Sequence, residues 1–214
     1  MLGETGAVSA QASSPVGREH GLYEQAQSAL RKRETINDAF GPLKKLLKKE
    51  PHHQAALFLL GTAYAYIGSH GDAVHAFKEL TQLAPSCTRA FIGLGFAHMN
   101  LQDYASAKES CDHATTLNPD DRQGWLCAAN VADLNGDLEE AIGDLQKALS
   151  LRTDKKTFFL LARAYERLGE MVAAEDVKVE AEEFSRLTDE RANTDVEGLV
   201  DFFLDEEVPP HLRP

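Results

Sequence analysis

The stretch from Leu57 to Pro85 reads LFLLGTAYAYIGSHGDAVHAFKELTQLAP and carries two small residues within apolar, helix-like sequence. The first, Gly61, returns further along the chain as Gly95, Ala129 and Ala162. The second, Ala73, returns as Ala107, Ala141 and Ala174. The steps are 34, 34 and 33 residues, so one unit of sequence is present four times.

Each unit has the pattern of two helices joined by a short turn. Large apolar residues lie three or four positions before each first small residue, and Gly, Asn or Asp residues fall between the two helical patterns. A glycine inside a helix costs about 1 kcal/mol relative to alanine. Gly61 and Gly95 therefore indicate places where a close approach of two helices compensates for that cost.

This pattern resembles the tetratricopeptide repeat, a helix-turn-helix unit of about 34 residues. The resemblance covers residues 54–188 and implies an all-α, right-handed solenoid, to which we add a C-terminal amphipathic helix. The predicted organisation is a flexible lead (1–17), a degenerate repeat or capping helical pair (18–53), four repeats (54–87, 88–121, 122–154 and 155–188), and a linker, amphipathic helix and Pro-rich tail (189–214). We expect Pro42 to interrupt the second helix of the degenerate pair.

The segment after Thr188 contains its own helix signal. Thr194 and Glu197 match a capping box, and apolar residues follow at helical spacing before two prolines. A helix of about ten residues is not stable alone and needs a surface to pack against. It either caps the last repeat or lies in a groove of this protein or a neighbour until a client displaces it, through Leu199, Phe202, Phe203 and Leu204.

Composition limits the partners and the compartment. The net charge of -12 argues against nucleic acid, and no apolar run approaches the roughly 20 residues of a membrane helix. Three cysteines without C-x-x-C spacing predict reduced thiols and a cytoplasmic location.

The two ends of the chain carry opposite charge. Residues 18–51 carry a net charge of +3 and residues 170–207 a net charge of -11. These ends are either two solvated faces, a head-to-tail contact between copies, or a tail folded back on the body.

The resemblance also implies a binding face, the concave surface lined by the first helix of each repeat. Its groove positions are unusually apolar here, and only Asn130 and Arg163 fit the pattern that grips acidic chaperone tails. This row favours an extended or helical partner segment with apolar anchors; alternatively, curvature or flanking helices bury it as core. The predicted partner-binding residues are Phe58, Thr62, Tyr66, Ile92, Phe96, Met99, Asn100, Leu126, Asn130, Phe159, Arg163 and Arg167.

Enzyme and metal chemistry have little support in the sequence. No G-x-S-x-G, Walker A, H-E-x-x-H or dinucleotide motif is present. Eight histidines fall mostly at predicted helix ends and turns, without the spacing of a closed metal site. We therefore predict no catalytic residue, no metal and no cofactor.

The sequence thus predicts a non-enzymatic protein–protein interaction module, an adaptor, scaffold or client-holding chaperone that binds an apolar peptide or helix. The stretch Phe91 to Leu149 is similar to the central repeats of bacterial type III secretion translocator chaperones, which gives one narrower alternative. The other is a self-assembling scaffold in which the basic N-terminal pair meets the acidic C-terminal end of another copy, making a homo-oligomer.

Overall fold

The computed structural model describes residues 15–188, and all regular structure in that range is helical. The prediction of an all-α fold is confirmed. The helices are α1 (Pro15–Leu30), α2 (Ile36–Lys49), α3 (Gln54–Tyr66), α4 (His70–Leu83), α5 (Thr88–Asn100), α6 (Tyr104–Leu117), α7 (Arg122–Asn135), α8 (Leu138–Leu151), α9 (Lys155–Leu168) and α10 (Met171–Thr188), with a 3-10 turn at Arg33–Thr35.

The helices form two compact units that divide after Pro85. In the first unit, α1 packs on α2 and α3 packs on α4, while α2 lies against α3. In the second unit the pairs are α5 with α6, α7 with α8, and α9 with α10, and α6 and α8 each contact the first helix of the next pair. Stacked helix pairs of this kind are the architecture of a helical-repeat solenoid.

Close approach explains the small residues within each unit. A Cβ atom on Gly61 would lie 2.8 Å from the ring of Phe77, the buried residue that α4 packs against α3. A Cβ atom on Gly95 would lie 2.6 Å from the sulfur of Cys111 and 2.8 Å from that of Cys127. Real side chains do not tolerate such distances, so both positions require glycine while these neighbours stay in place.

The cysteine prediction is wrong for two of the three thiols. Cys111 on α6 and Cys127 on α7 form a disulfide, and Cys87 is a buried free thiol. Sequence spacing alone did not indicate the pair, because the two cysteines are 16 residues apart and become neighbours only when α6 packs on α7. The bond joins the second helix of one pair to the first helix of the next.

Helix ends follow local side-chain chemistry. The carboxylates of Asp103, Asp121 and Asp154 accept hydrogen bonds from backbone N–H groups at the starts of α6, α7 and α9. Gly136 and Gly169 end α7 and α9 with φ near +90°, a conformation that glycine adopts without the strain of a Cβ. These caps give α7 and α9 sharply defined ends.

The first helix pair corrects a second expectation. Pro42 does not interrupt α2, which runs continuously from Ile36 to Lys49. Proline removes one helical hydrogen bond, but Ala39, Leu43 and Leu46 on the same helix are buried. The burial of this apolar face offsets the lost bond, so the helix continues through the proline.

The last helix, α10, presents a charged surface at a repeat position that is buried earlier in the chain. Lys178 occupies the position held by the buried Leu145 in α8, and its amine contacts Glu166 at 2.8 Å and Glu175 at 3.6 Å.

The segment that follows α10, with the predicted amphipathic helix, lies outside the described residues. Within residues 15–188, no helix is long and apolar enough to cross a membrane.

Candidate partner-binding face

In the first unit, the predicted groove residues lie on α3 and are mostly inaccessible. Phe58 is 2% exposed and stacks edge-on against Phe77, with ring centroids 6.1 Å apart. Thr62 is also buried, and its hydroxyl donates a hydrogen bond to the Phe58 carbonyl. Tyr66 is half-buried. The prediction that Phe58 is an exposed anchor is therefore wrong, because its ring fills the core between α3 and α4.

The predicted residues on α5 are divided between core and surface. Ile92 and Met99 are buried, whereas Phe96 is half-buried and Asn100 is exposed. The cause is that α5 packs against both α6 and α7, which cover more than one side of the helix. Ile92 and Met99 therefore belong to the core rather than to a free groove. The alternative that packing buries part of the apolar row is correct at these positions.

A more accessible set lies further along, on α7 and α9. Leu126 and Asn130 are half-buried on α7, and the Asn130 amide donates a hydrogen bond of 2.8 Å to the Leu126 carbonyl. Phe159 on α9 is 67% exposed. It stands four residues before Arg163 and eight before Arg167, so the three share one side of the helix.

Asp133 joins the two helices at this surface. Arg163 contacts the Asp133 carboxylate at 3.1 Å, and Arg167 donates to the Asp133 backbone carbonyl at 3.0 Å and to its carboxylate. The Asp133 side chain is only 14% exposed, whereas both arginines are more than 40% exposed. We call Leu126, Asn130, Asp133, Phe159, Arg163 and Arg167 the α7–α9 face.

The electrostatics of the α7–α9 face differ from those of the protein as a whole. Two guanidinium groups share a single carboxylate, which leaves a local charge of +1 in a chain of net charge -12. Arginine presents donors that suit carboxylates and backbone carbonyls. Next to the exposed ring of Phe159, this arrangement can receive an apolar side chain and an acidic or carbonyl group together.

The Asp133 contacts were not predicted from the sequence. A signal was present, because Asp133 and Arg167 are 34 residues apart, about one repeat period, and repeat neighbours face each other. The four tail residues Leu199, Phe202, Phe203 and Leu204 lie outside the described part of the chain.

Other candidate sites are weaker. Among residues 15–188, no group of three or more His, Cys, Asp or Glu side chains is arranged to hold a metal ion. A hollow of about 460 Å³ in the first unit is open to solvent. Its lining includes the apolar residues Leu47 and Leu60 and the acidic residues Asp72 and Glu79. It contains none of the predicted groove residues.

Comparison with known families identifies the repeats. Two models, both described as tetratricopeptide repeat, match residues 23–86 and 88–121. Superkiller protein 3 of Schizosaccharomyces pombe is 28% identical over 146 residues, which is 66% of this chain and 10% of that protein. The mouse protein O-mannosyl-transferase TMTC1 is 28% identical over 117 residues, 52% of this chain and 12% of that protein. The chain thus spans only about a tenth of the length of these relatives.

Solved structures show the same fold. A MamA structure from Desulfovibrio magneticus RS-1 has a TM-score of 0.71 and 22% identity, and covers 81% of this chain and 99% of its own. TTC0263, a TPR protein of Thermus thermophilus, has a TM-score of 0.66 and 20% identity, and covers 87% of this chain and 97% of its own. The two repeat matches support a protein–protein interaction module. With its stacked helix pairs, the chain carries tetratricopeptide repeats at residues 23–86 and 88–121.

Proposed function

We propose that this protein is a non-enzymatic interaction module that binds an apolar segment of a partner protein on the α7–α9 face. The observation that carries the proposal is the 67% exposure of Phe159 on a helix side that also presents two arginines. An aromatic ring left in water on a repeat surface gains free energy when a partner covers it. The earlier members of the same row, Phe58 and Ile92, are buried and make no such contact.

The energetic contribution comes from a small number of anchors. A partner side chain buried against Phe159 and Leu126 contributes about 1.5 to 3 kcal/mol before the costs of ordering the segment. Arg163 and Arg167, held toward α7 by Asp133, orient the partner through its acidic groups or backbone carbonyls. Asn130 adds a polar contact beside Leu126. Half-buried Phe96 and exposed Asn100, in the same unit, extend the proposed contact set, whereas Tyr66 lies in the first unit and is not part of this face.

A peptide selection tests this function. Random peptides displayed on phage are selected on the full chain, and on a full-length Phe202→Ser/Phe203→Ser variant that leaves the described residues untouched. We expect enriched peptides to place an aromatic or aliphatic residue close to an acidic residue. Their binding should be at least about tenfold weaker in Phe159→Ser and unchanged in Met171→Ser.

The Met171→Ser control is matched in exposure, since Met171 is 65% exposed and Phe159 is 67% exposed, and both lie in the second unit. Equal loss in both variants, or enriched peptides that bind Phe159→Ser as well as wild type, would contradict binding at the α7–α9 face. Circular dichroism of each variant establishes that its helices are intact.

A second candidate function is self-assembly through opposite charges. The lysines of α2 at positions 44, 45, 48 and 49 are exposed, as are the acids of α10 at positions 175, 176, 180, 182 and 183. Charge-driven assembly weakens as added salt shortens the Debye length from about 10 Å to about 3 Å. Analytical ultracentrifugation at low and high salt tests this assembly. Oligomers that dissociate as salt is added would support it, and a monomer at both salt concentrations would exclude it.

The more specific roles of adaptor and chaperone have fewer observations in their support. An adaptor and a client-holding chaperone both use the same face, and a type III secretion translocator chaperone rests only on the sequence similarity of residues 91–149. A cytoplasmic location stays a prediction, and the Cys111–Cys127 disulfide removes the support that reduced thiols gave it.

A further inference from the structure

The hollow in the first unit lies between α2 and α4, and we call it the α2–α4 hollow. The helix α3 contacts both α2 and α4. It contributes Leu57, Leu60 and Tyr64 to the lining, while Leu47 comes from α2 and most of the remaining residues come from α4. The volume of about 460 Å³ is within the range of pockets that hold ligands, so an apolar side chain of a partner can enter it.

Two residues that line the hollow belong to a repeated pair of positions. Leu57 and Glu79 correspond, 34 residues further on, to Phe91 and His113. The rings of Phe91 and His113 are in contact, with their centroids 4.2 Å apart. In that repeat the two side chains of the pair therefore cover each other.

The third repeat fills the same pair of positions in another way. Trp125 and Lys147 stand 34 residues beyond the previous pair, and the Lys147 amine lies 6.0 Å from the centroid of the Trp125 ring, a cation–π contact. The first repeat has an aliphatic residue, Leu57, and an acid, Glu79, at these positions. It therefore leaves a carboxylate beside an open apolar space, where the next two repeats have an aromatic ring covered by a histidine or a lysine.

The acids of the hollow are available to a partner. Asp72 and Glu79 line it from α4, both are exposed, and neither forms an ion pair with another residue in the described range 15–188. His75, also exposed, lies between them on the same side of α4. Asp72 is in the first turn of α4, where a carboxylate stabilises the helix. Glu79, two turns later, has no such role.

The opposite side of the hollow restricts how much positive charge a partner can carry. The lysines of α2 at positions 44, 45, 48 and 49 are exposed and do not line the hollow. A cation is attracted by the acids on α4 and repelled by these lysines. One basic residue held on the α4 side suits this distribution of charge, and a run of basic residues does not.

We propose that the α2–α4 hollow is a second docking site, which binds a partner segment that inserts an apolar side chain and pairs one neighbouring arginine or lysine with Glu79. The leucines and Tyr64 provide the surface for the apolar group, and the carboxylate fixes the orientation of the segment. The site lies within the first unit and does not depend on the α7–α9 face.

A subtractive peptide selection tests this site. Random peptides displayed on phage are selected on the full-length protein after depletion on full-length Glu79→Lys, an exposed substitution that leaves the apolar lining in place. We expect enriched peptides to combine an apolar residue with a single arginine or lysine within about four positions of it. In a fluorescence anisotropy titration, one such peptide should bind Glu79→Lys about fivefold or more weakly than wild type. Replacing its basic residue with glutamate should reverse that order.

The matched control is Glu24→Lys, which makes the same change of charge at an exposed acid of the first unit that does not line the hollow. It should bind the peptide as tightly as wild type. Equal loss in both variants would overturn the proposal. So would the absence of enriched peptides, or enriched peptides that carry acidic residues or a run of basic residues.

A second variant closes the hollow with the pair of the second repeat. Leu57→Phe/Glu79→His should weaken peptide binding about tenfold or more, because the apolar space is then occupied from within. Circular dichroism establishes that its helices are intact. Unchanged binding by this variant would overturn the proposal. A wild-type dimer that the variant abolishes would assign the hollow to a second copy and overturn it as well.

Phe159→Ser separates this site from the proposed function. A peptide of the α2–α4 hollow should bind Phe159→Ser as tightly as wild type, because Phe159 lies in the second unit. Loss of binding in Phe159→Ser would assign the peptide to the α7–α9 face and contradict the second site. Binding at the hollow without any peptide for the α7–α9 face would support the second site and remove the proposed function.

Discussion

Gly61 and Gly95 occupy the same place in neighbouring repeats, yet different groups fill the space beside them. In the first unit the neighbour is the ring of Phe77, and in the second it is the disulfide between Cys111 and Cys127. Phe77 and Cys111 stand at the same repeat position, 34 residues apart. The repeat thus requires a close approach at this point, while the group that makes the approach can differ.

Adding a large side chain at the first glycine should have the largest effect on stability. Gly61→Leu places several atoms where the Phe77 ring lies within 3 Å of a Cβ. We expect the first unit to lose its cooperative unfolding, with destabilisation of more than about 3 kcal/mol. A urea titration monitored by circular dichroism measures the change in the free energy of unfolding.

The matched control for that variant is Gly71→Leu. Gly71 is exposed on α4, and a Cβ there meets no atom within 4 Å. A wild-type midpoint for Gly61→Leu would contradict the packing described for α3 and α4.

Removing the disulfide tests how much the group beside Gly95 contributes to the stability of the second unit. Cys111→Ser/Cys127→Ser should destabilise the second unit by about 3 kcal/mol, because the crosslink closes a loop of 16 residues in the unfolded chain. Denaturant unfolding measures the loss. Thiol titration of denatured, unreduced wild type should find a single thiol, that of Cys87, and a count of three would disprove the crosslink.

A smaller substitution at the second glycine tests the contact with the two sulfur atoms. Gly95→Ala adds one Cβ within 2.8 Å of both sulfurs and should cost about 1 to 3 kcal/mol. The same substitution at Gly143, which is exposed on α8 with no atom within 4 Å, should instead stabilise by up to about 1 kcal/mol. Thermal melts of the two variants side by side are sufficient, and midpoints that move together would count against a special role for Gly95.

The smallest expected effect involves Asp144, on the helix after the disulfide. Burial, followed by repulsion from Glu140, raises the pKa of Asp144 to about 6, while Lys108 opposes the shift and Asp112 adds to it. Folding therefore favours the protonated acid. This contribution is fully present below the ordinary pKa of 3.8 and is lost as pH rises through about 6.

Asp144→Asn should accordingly stabilise the protein at pH 7 by about 1 kcal/mol, a value reduced for the partial exposure of the carboxyl. The gain should disappear below about pH 4, where the wild-type acid is protonated as well. Unfolding free energies at both pH values check this, and a gain of equal size at both would show that repulsion and burial of the charge are not its source.

The sequence was sufficient to predict the helix pairs, because small and large residues recur at one period and turn residues separate the patterns. It was not sufficient to predict which first-helix residues are exposed. Phe58 and Phe159 hold the same repeat position, but Phe58 is buried against Phe77 while Phe159 is exposed. Exposure at this position depends on what packs over each helix, and that is a tertiary property with no local signal.

Two features of the second unit were missed for a related reason. The disulfide depends on α6 and α7 coming together across a turn, and the Asp133 contacts depend on α7 lying beside α9. In the second case the repeat period contained the information, since residues about 34 positions apart lie on neighbouring first helices. Charged residues at that spacing are candidates for contacts between repeats.

Binding at the α7–α9 face is tested best by a fluorescence anisotropy titration of one selected peptide against wild type, Phe159→Ser and Met171→Ser. We expect Phe159→Ser to bind the peptide at least about tenfold more weakly than wild type, which corresponds to about 1.4 kcal/mol, and Met171→Ser to bind it as tightly as wild type. Equal affinity for all three proteins would show that the partner does not bind at the α7–α9 face.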